Sequence, residues 1–397
     1  MAGGLTRTGY RIRMPHADIP FNRASIEGAE LEYLKQSLES GHTSSSGPFS
    51  KRATEILGTW SGAEDVLLTT SCTSALELSA LMLDLKPGDT VIVPSFTFTT
   101  TALAFARQGA QLLFCDIEPE TLGLDAAHLE TLLDDSVRAV VPVHYAGVAC
   151  DVDGIRKVLA DRPDVAVIED NAHGLYGRWN DQPLGSLGRF STLSFHETKN
   201  ITCGEGGALV LNDSRDVDRA RVLYDKGTNR RAFFLGQVDK YSWKDTGSSF
   251  GLSDMLAAYL CAQLEQADVI QGKRRSVFDR YQAALAPLAD DLEIRLPVVP
   301  DNCDIAYHMF YLLVRDRPTR DAVLEQMRGE GLHPTFHYVP LHSSDAGRRF
   351  SAELTECPVT DDISGRLIRL PFYNSVSAAD SARVIASFLG ALAAAAA

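Results

Sequence analysis

Seven short runs between residues 66 and 212 are continuously apolar rather than alternating. They are VLLTTS (66–71), TVIVPS (90–95), QLLFCDI (111–117), VRAVVPVHY (137–145), VAVIED (165–170), FSTLSF (190–195) and GALVLN (207–212). Unbroken apolar runs of this length predict strands buried on both faces. Between most of them the spacing turns helical: SALELSALMLDL follows the first, TTTALAFARQG the second and LDAAHLETLLDD the third. Alternation of strand and helix predicts a mainly parallel sheet with helices on both faces. The last pair differs, because only HETKNITCGEG separates FSTLSF from GALVLN. Parallel neighbours need a crossover of about a dozen residues or more, usually a helix, so GALVLN is expected to run antiparallel. After residue 250 come a long helical stretch that reads as one helix or two, MFYLLVRD, the helical TRDAVLEQMRGEG, HPTFHYVP and a final helix from about Ala378. The pattern predicts a large α/β domain over 1–250 with an N-terminal arm. Linking helices and a smaller α+β domain fill 251–397.

Composition narrows the function. The chain has 397 residues, 45% hydrophobic and 23% charged, as in an ordinary soluble globular protein. Its formal net charge of −14 argues against a general nucleic-acid binder, which needs basic surface. A phosphorylated ligand must then be met by local donors. The seven cysteines are scattered, with no CxxC pair, which points to a reducing, cytoplasmic setting and away from a disulfide framework or a zinc site. The N-terminus MAGGLTRTGYRIRMPHADIPFN has no apolar core of a signal peptide. No run approaches the roughly 18 apolar residues of a membrane span, so no membrane partner is expected. The tail LGALAAAAA reads as the frayed end of a helix.

Ligands of open α/β sheets collect at the carboxyl ends of the parallel strands, so the residues there are the candidates. After the first strand, SCTSALEL opens a helix with small hydroxyl residues. It reads either as an N-cap by Ser71 or Thr73 or as a phosphate cradle of free amides. PSFTFTTTA places Phe96 and Phe98 after the second strand, as core or as a ligand platform. After the fifth, EDNAHG brings Glu169, Asp170 and His173 together; a carboxylate ending an apolar strand is costly to bury without a partner. SFHETKN then sets Lys199 just past the sixth strand. A phosphate cradle, an aromatic plate, a buried carboxylate and a lysine are what pyridoxal 5'-phosphate requires. The phosphate takes the helix N-terminus, the ring stacks, the carboxylate keeps the pyridine nitrogen protonated, and the lysine forms a Schiff base with the aldehyde.

With these motifs in order, the chain resembles the DegT/DnrJ/EryC1 family of fold-type I, PLP-dependent sugar aminotransferases. The landmarks are SCTSAL, PSFTFTTTA, PVHYAGVACD, IEDNAHG, SFHETKN with GEGGALV, and HYVPLH, and they extend from IPFN (19–22) to RLPFYN (369–374). SFHETKN, KGTNR, GQVDKYSW and GSSF are similar to the TDP-4-oxo-6-deoxyglucose 4-aminotransferase branch. The resemblance implies fold type I, with Lys199 carrying the Schiff base, Asp170 on the pyridine nitrogen, Thr73, Ser74 and Ser194 on the phosphate, and Phe98 on the ring. Three positions depart from the family pattern. Cys72 stands where glycine is frequent, and His173 where glutamine is common, still able to bond the cofactor's 3-oxygen. Gly251 stands where many relatives carry an asparagine that reaches the partner's phosphate, with Ser248 or Ser249 as substitutes.

The implied reaction takes an amino group from L-glutamate and delivers it to C4 of TDP-4-oxo-6-deoxy-D-glucose, with Lys199 and Asp170 as the catalytic pair. The product is the gluco amino sugar or its galacto epimer. Two other readings are a 3-dehydratase of the same fold, against which Lys199 speaks because that group carries histidine there, and a PLP-binding regulatory protein without turnover. Candidate substrate contacts are His196, His337, Arg230 and Arg231. The last two lie in KGTNRRAFFLGQVDKYSW (226–243), a basic, aromatic stretch too irregular for a helix. By resemblance it reaches across a homodimer with shared active sites. His337 and His342 lack a third ligand with metal spacing, so no metal is expected, and His308 reads as a core or rim residue.

Overall fold

The computed structural model of the protein describes residues 18–396. All seven predicted strands form one sheet: β1 (Asp65–Thr69), β2 (Thr90–Pro94), β3 (Gln111–Cys115), β4 (Val137–Val140), β5 (Ala166–Asp170), β6 (Phe190–Ser194) and β7 (Gly207–Leu211), in the spatial order β1-β7-β6-β5-β4-β2-β3. Strands β2 to β6 pair in parallel. As the short connection requires, β7 runs antiparallel to both β6 and β1.

Every residue of β2 and β7 is buried, which is why these runs do not alternate. Successive side chains still point to opposite faces. Val91 and Val93 pack with the helices Cys72–Met82 and Thr99–Ala106 on one face. Ile92 joins a cluster on the other that includes Leu129, Ile155, Val323 and Phe388, so this core is continuous across residue 250. The helices Pro48–Ser61 and Asp254–Glu265 close that second face over β1 and β7. The C-terminal part pairs β8 (Tyr311–Leu313) with β9 (Leu367–Arg369) antiparallel, beside the helices Arg317–Gly329 and Ala378–Ala396.

Four expectations change in detail. The fourth run is a strand only to Val140; Pro142 has no N–H for a ladder, and the chain turns at Tyr145–Gly147 with Ala146 at φ 56°. The stretch 226–243 carries a short helix, Arg230–Phe234. The alanine tail is not frayed within the described residues: the helix continues to Ala396 with Ala391 and Leu392 buried. That helix also supplies a window, Ala378–Ala395, long and apolar enough by composition to cross a membrane. It buries Val384 and Phe388 in the core shared with Val323 and Met327, as a core helix does.

Candidate active site

The carboxyl ends of β1, β2, β5 and β6 open into one cavity of about 450 Å³. Among its walls are Thr73, Phe98, Asp170, His173, Ser194, His196, Lys199 and His337, eight of the predicted site residues.

Of the two readings of SCTSALEL, the N-cap falls to Ser71, and the same turn faces the cavity. Ser71 caps the helix Cys72–Met82 by accepting from the Ser74 amide at 3.1 Å. Ser71, Cys72 and Thr73 meanwhile line the cavity, and the first amides of a helix have no partner within it. Ser74 does not line the cavity; its hydroxyl bonds Thr70 Oγ1 at 2.8 Å and Ser71 Oγ at 3.1 Å. The glycine run of GEGGALV has its explanation here. A Cβ on Gly207 would lie 2.3 Å from the Ser71 carbonyl carbon and 2.4 Å from the Cys72 nitrogen, so only glycine lets β7 pass this close to the turn. Burial pushes the Cys72 thiol pKa up, making it a neutral wall.

Strand β5 sends its two carboxylates in opposite directions. Glu169 leaves the cavity and accepts the amides of Gly185, Leu187 and Gly188 at 2.7–2.8 Å. It also meets His144 Nε2 at 2.9 Å; because His144 Nδ1 accepts the Cys150 amide, Nε2 carries the proton and donates it. Glu169 is therefore a staple of the loops. Asp170 faces the cavity, 5% exposed. Its Oδ2 accepts from Thr101 Oγ1 at 2.7 Å and its Oδ1 from the Ala172 amide at 3.2 Å. Since Thr101 donates to the carboxylate, Thr97, 2.8 Å away, donates to Thr101. Burial raises the Asp170 pKa, against those hydrogen bonds and the charge of Lys199. A carboxylate so enclosed needs a cation, and a protonated ring nitrogen is one.

Lys199 lies in the loop between β6 and β7, where its amide donates to the His196 carbonyl. Burial lowers its pKa to about 8, with Arg369 acting the same way and Asp170 opposing. Next to it, Asn200 Nδ2 donates to the Ala306 carbonyl and Oδ1 accepts from His308 Nδ1 at 2.7 Å. His173 stacks on His308, ring centres 4.2 Å apart and 12° from parallel. Burial holds both imidazoles well below their usual pKa. His173 Nδ1 is buried without a partner, which suits a bond to a ligand oxygen. Phe98 is 58% exposed whereas Phe96 is 1% exposed. Phe96 is core against Tyr145, and Phe98 is the free ring at the cavity.

The other candidates divide. His196 sits at the mouth, with Nδ1 2.9 Å from Thr198 Oγ1 and Nε2 3.6 Å from Glu205. Arg230 and Arg231 do not line their own chain's cavity; Arg230 stacks over Phe234 at 5.2 Å. His342 is engaged by Ser95 Oγ at 2.7 Å, away from the cavity. Gly251 is hemmed in: a Cβ there would lie 2.7 Å from Ser45 Cβ, so Ser45 takes the room a side chain would need. The sequence reading missed Arg369 and Tyr338 as cavity walls; His308, read as a core or rim residue, is buried and lines the cavity with them. A signal for Arg369 was present, an arginine set among Leu367, Ile368 and Leu370, all of them fully buried. Phosphate donors at a helix N-terminus, a free aromatic face, an enclosed carboxylate, an orphaned imidazole nitrogen and a lysine of lowered pKa fit pyridoxal phosphate group by group.

The DegT/DnrJ/EryC1/StrS aminotransferase family matches over residues 24–389. The spore coat polysaccharide biosynthesis protein SpsC of Bacillus subtilis is 30% identical over 375 residues, covering 92% of this chain and 95% of SpsC. Among solved structures, the aminotransferase TlmJ from Streptoalloteichus hindustanus superposes with a TM-score of 0.87 at 26% identity, covering 95% of this chain and 100% of TlmJ. DesV of S. venezuelae, solved with a ketimine intermediate, gives 0.83 at 26% identity, covering 95% of this chain and 99% of DesV.

Proposed function

The chain belongs to the DegT/DnrJ/EryC1/StrS aminotransferase family, and from that premise we propose that it transfers the amino group of L-glutamate to C4 of TDP-4-oxo-6-deoxy-D-glucose, giving TDP-4-amino-4,6-dideoxy-D-glucose. It is a PLP-dependent sugar aminotransferase of fold type I. The observation that carries the mechanism is Lys199 and Asp170 facing one cavity beside an open helix N-terminus.

Pyridoxal phosphate supplies an electron sink for the bond broken at the donor's α-carbon. The protein does the rest. The amides at Cys72 and Thr73, with Ser71 and Ser194, hold the phosphate. Asp170, braced by Thr101, holds the proton on the ring nitrogen. Phe98 covers the ring, and His173 offers its free nitrogen to the ring oxygen. Lys199 Nζ takes the α-proton of the donor and later returns a proton to C4 of the acceptor sugar. Its lowered pKa keeps a usable fraction of neutral amine near neutral pH.

The acceptor assignment rests on the branch similarity of SFHETKN, KGTNR, GQVDKYSW and GSSF. Incubation with TDP-4-oxo-6-deoxyglucose and glutamate, followed by NMR of the product, tests it. A large axial coupling at H4 marks the gluco amino sugar, and a small one the galacto epimer. No amino sugar with a loaded, folded protein would mean that the acceptor is a different oxo sugar.

A further inference from the structure

We infer that Arg369 takes the carboxylate of the amino donor, its guanidinium held for that purpose by His337 and by Phe21 of the N-terminal segment; this deepens the proposed function and rests on its donor half-reaction. Arg369 ends β9, and its backbone exchanges two hydrogen bonds with Thr335, at 2.7 and 3.0 Å. The side chain is 7% exposed, yet it lines the same cavity as Lys199. Among the described residues no carboxylate pairs with it. Nη1 donates to His337 Nε2, and Nε is buried with no partner. A guanidinium stays charged at any ordinary pH and is costly to bury alone. A cation left without its anion inside a substrate cavity calls for an anionic ligand.

The cofactor phosphate has the helix N-terminus at Ser71–Thr73, the ring nitrogen is a cation that Asp170 matches, and the acceptor's diphosphate sits on C1, away from the reacting C4. What remains at the reacting end is the donor's carboxylate, whose two oxygens match the parallel N–H groups of a guanidinium. The surroundings leave one way in. Phe21 covers a flat face of the guanidinium, its ring centre 4.5 Å from the central carbon. His337 occupies Nη1, and because its Nε2 accepts, its Nδ1 carries the proton toward Tyr145 Oη at 3.2 Å. Nη2 has no partner among the described residues. The Phe21 carbonyl accepts the Phe372 amide at 3.1 Å, and Asn22 Nδ2 donates to the Glu197 carbonyl at 2.9 Å, two residues before Lys199. The N-terminal segment thus ties the cover of the cation to the lysine loop.

The test uses the cofactor-loaded protein and three probes: glutarate, a dicarboxylate with no amine to react; TDP; and pyridoxal phosphate itself with apo-protein. Calorimetry should show glutarate binding weakened at least about tenfold in Arg369→Gln, the scale of a lost charge-assisted contact, and less in Arg369→Lys. Affinities for pyridoxal phosphate and TDP should stay within about twofold. Phe21→Ala, which keeps the cation, should also weaken glutarate and guards against a misfolded arginine variant. Unchanged glutarate affinity in folded, loaded Arg369→Gln overturns the inference. So does a loss that falls on pyridoxal phosphate or TDP instead, since the oxyanion would then be a phosphate. If the wild type binds glutarate through Arg369 but does not aminate the 4-oxo sugar, the donor subsite stands and the proposed acceptor falls.

Discussion

A lysine amine is a useful base near neutral pH only if something disfavours its charged form. At Lys199 that is first burial and then the charge of Arg369, which together outweigh Asp170 and bring the pKa to about 8. Because the shift is downward from 10.5, the neutral amine is present above pH 8 and lost as pH falls through it. The rate at which apo-protein captures pyridoxal phosphate, followed by absorbance, should therefore rise up to about pH 8 and level off. A rate still climbing at pH 10 would mean an unperturbed lysine. Lys199→Ala should remove both capture and turnover while the far-ultraviolet spectrum is unchanged. Asp170→Asn keeps a side chain that Thr101 can still donate to but has no charge to hold a proton on the ring nitrogen. Its rate should fall by several orders of magnitude with the cofactor still held by its phosphate. A variant keeping more than about a tenth of the rate, a barrier change of only ~1.4 kcal/mol, would show that Asp170 has another task. At this scale the sequence was informative wherever a polar group sat at a strand end. Lys199, Asp170 and His173 were legible for that reason. The opposite roles of Glu169 and Asp170 follow from strand alternation, but which of the two faces the cavity depends on His144 and the loop at Gly185–Gly188, which capture Glu169. Arg369 was hidden because its strand meets the site from the far end of the chain.

Among the elements, the sheet was the easiest to read, since a strand buried on both faces writes an unbroken apolar run. The reversal of β7 followed from the eleven residues, 196–206, between FSTLSF and GALVLN. Less legible was why this connection enters β7 through GEGG (204–207). The reason is a contact between elements far apart in sequence: Gly207 lies against the turn that opens the helix Cys72–Met82. The obstacle for any Cβ there is backbone on the opposite side, which has no flexible end to move away. Gly207→Ala should force β7 and the helix N-terminus apart, at a cost of about 1–3 kcal/mol for such overpacking. It should also weaken pyridoxal phosphate binding, because the amides of Cys72 and Thr73 would shift. A denaturant titration and a cofactor titration of the same variant check both. A stability loss with cofactor affinity intact would separate this turn from the phosphate.

For the whole molecule, the segment 226–243 shows what a single chain leaves open. It carries Lys226, Arg230, Arg231 and Lys240 in a chain of net charge −14. Phe234 is 68% exposed, Tyr241 57% and Trp243 80%, far more aromatic surface than a solvated loop needs. Its two arginines stay clear of the cavity on their own chain. We propose that a second copy covers the aromatic rings and that the cations serve the partner's sugar diphosphate, making the enzyme a homodimer with shared sites. The basic charge was legible as a composition anomaly against the acidic whole; the target proposed for it was not, because a single chain's sequence does not say which surface a second copy would meet. Lys199→Ala and the double variant Arg230→Ala with Arg231→Ala should each be inactive alone. Mixed and allowed to exchange subunits, they form hybrids in which one site joins an intact lysine to intact arginines from the other chain, while the second site lacks both. Activity should then return in part, up to half that of wild type per hybrid dimer. If subunit exchange is confirmed by mass spectrometry and activity stays at the level of the separate variants, the arginines do not act across the interface.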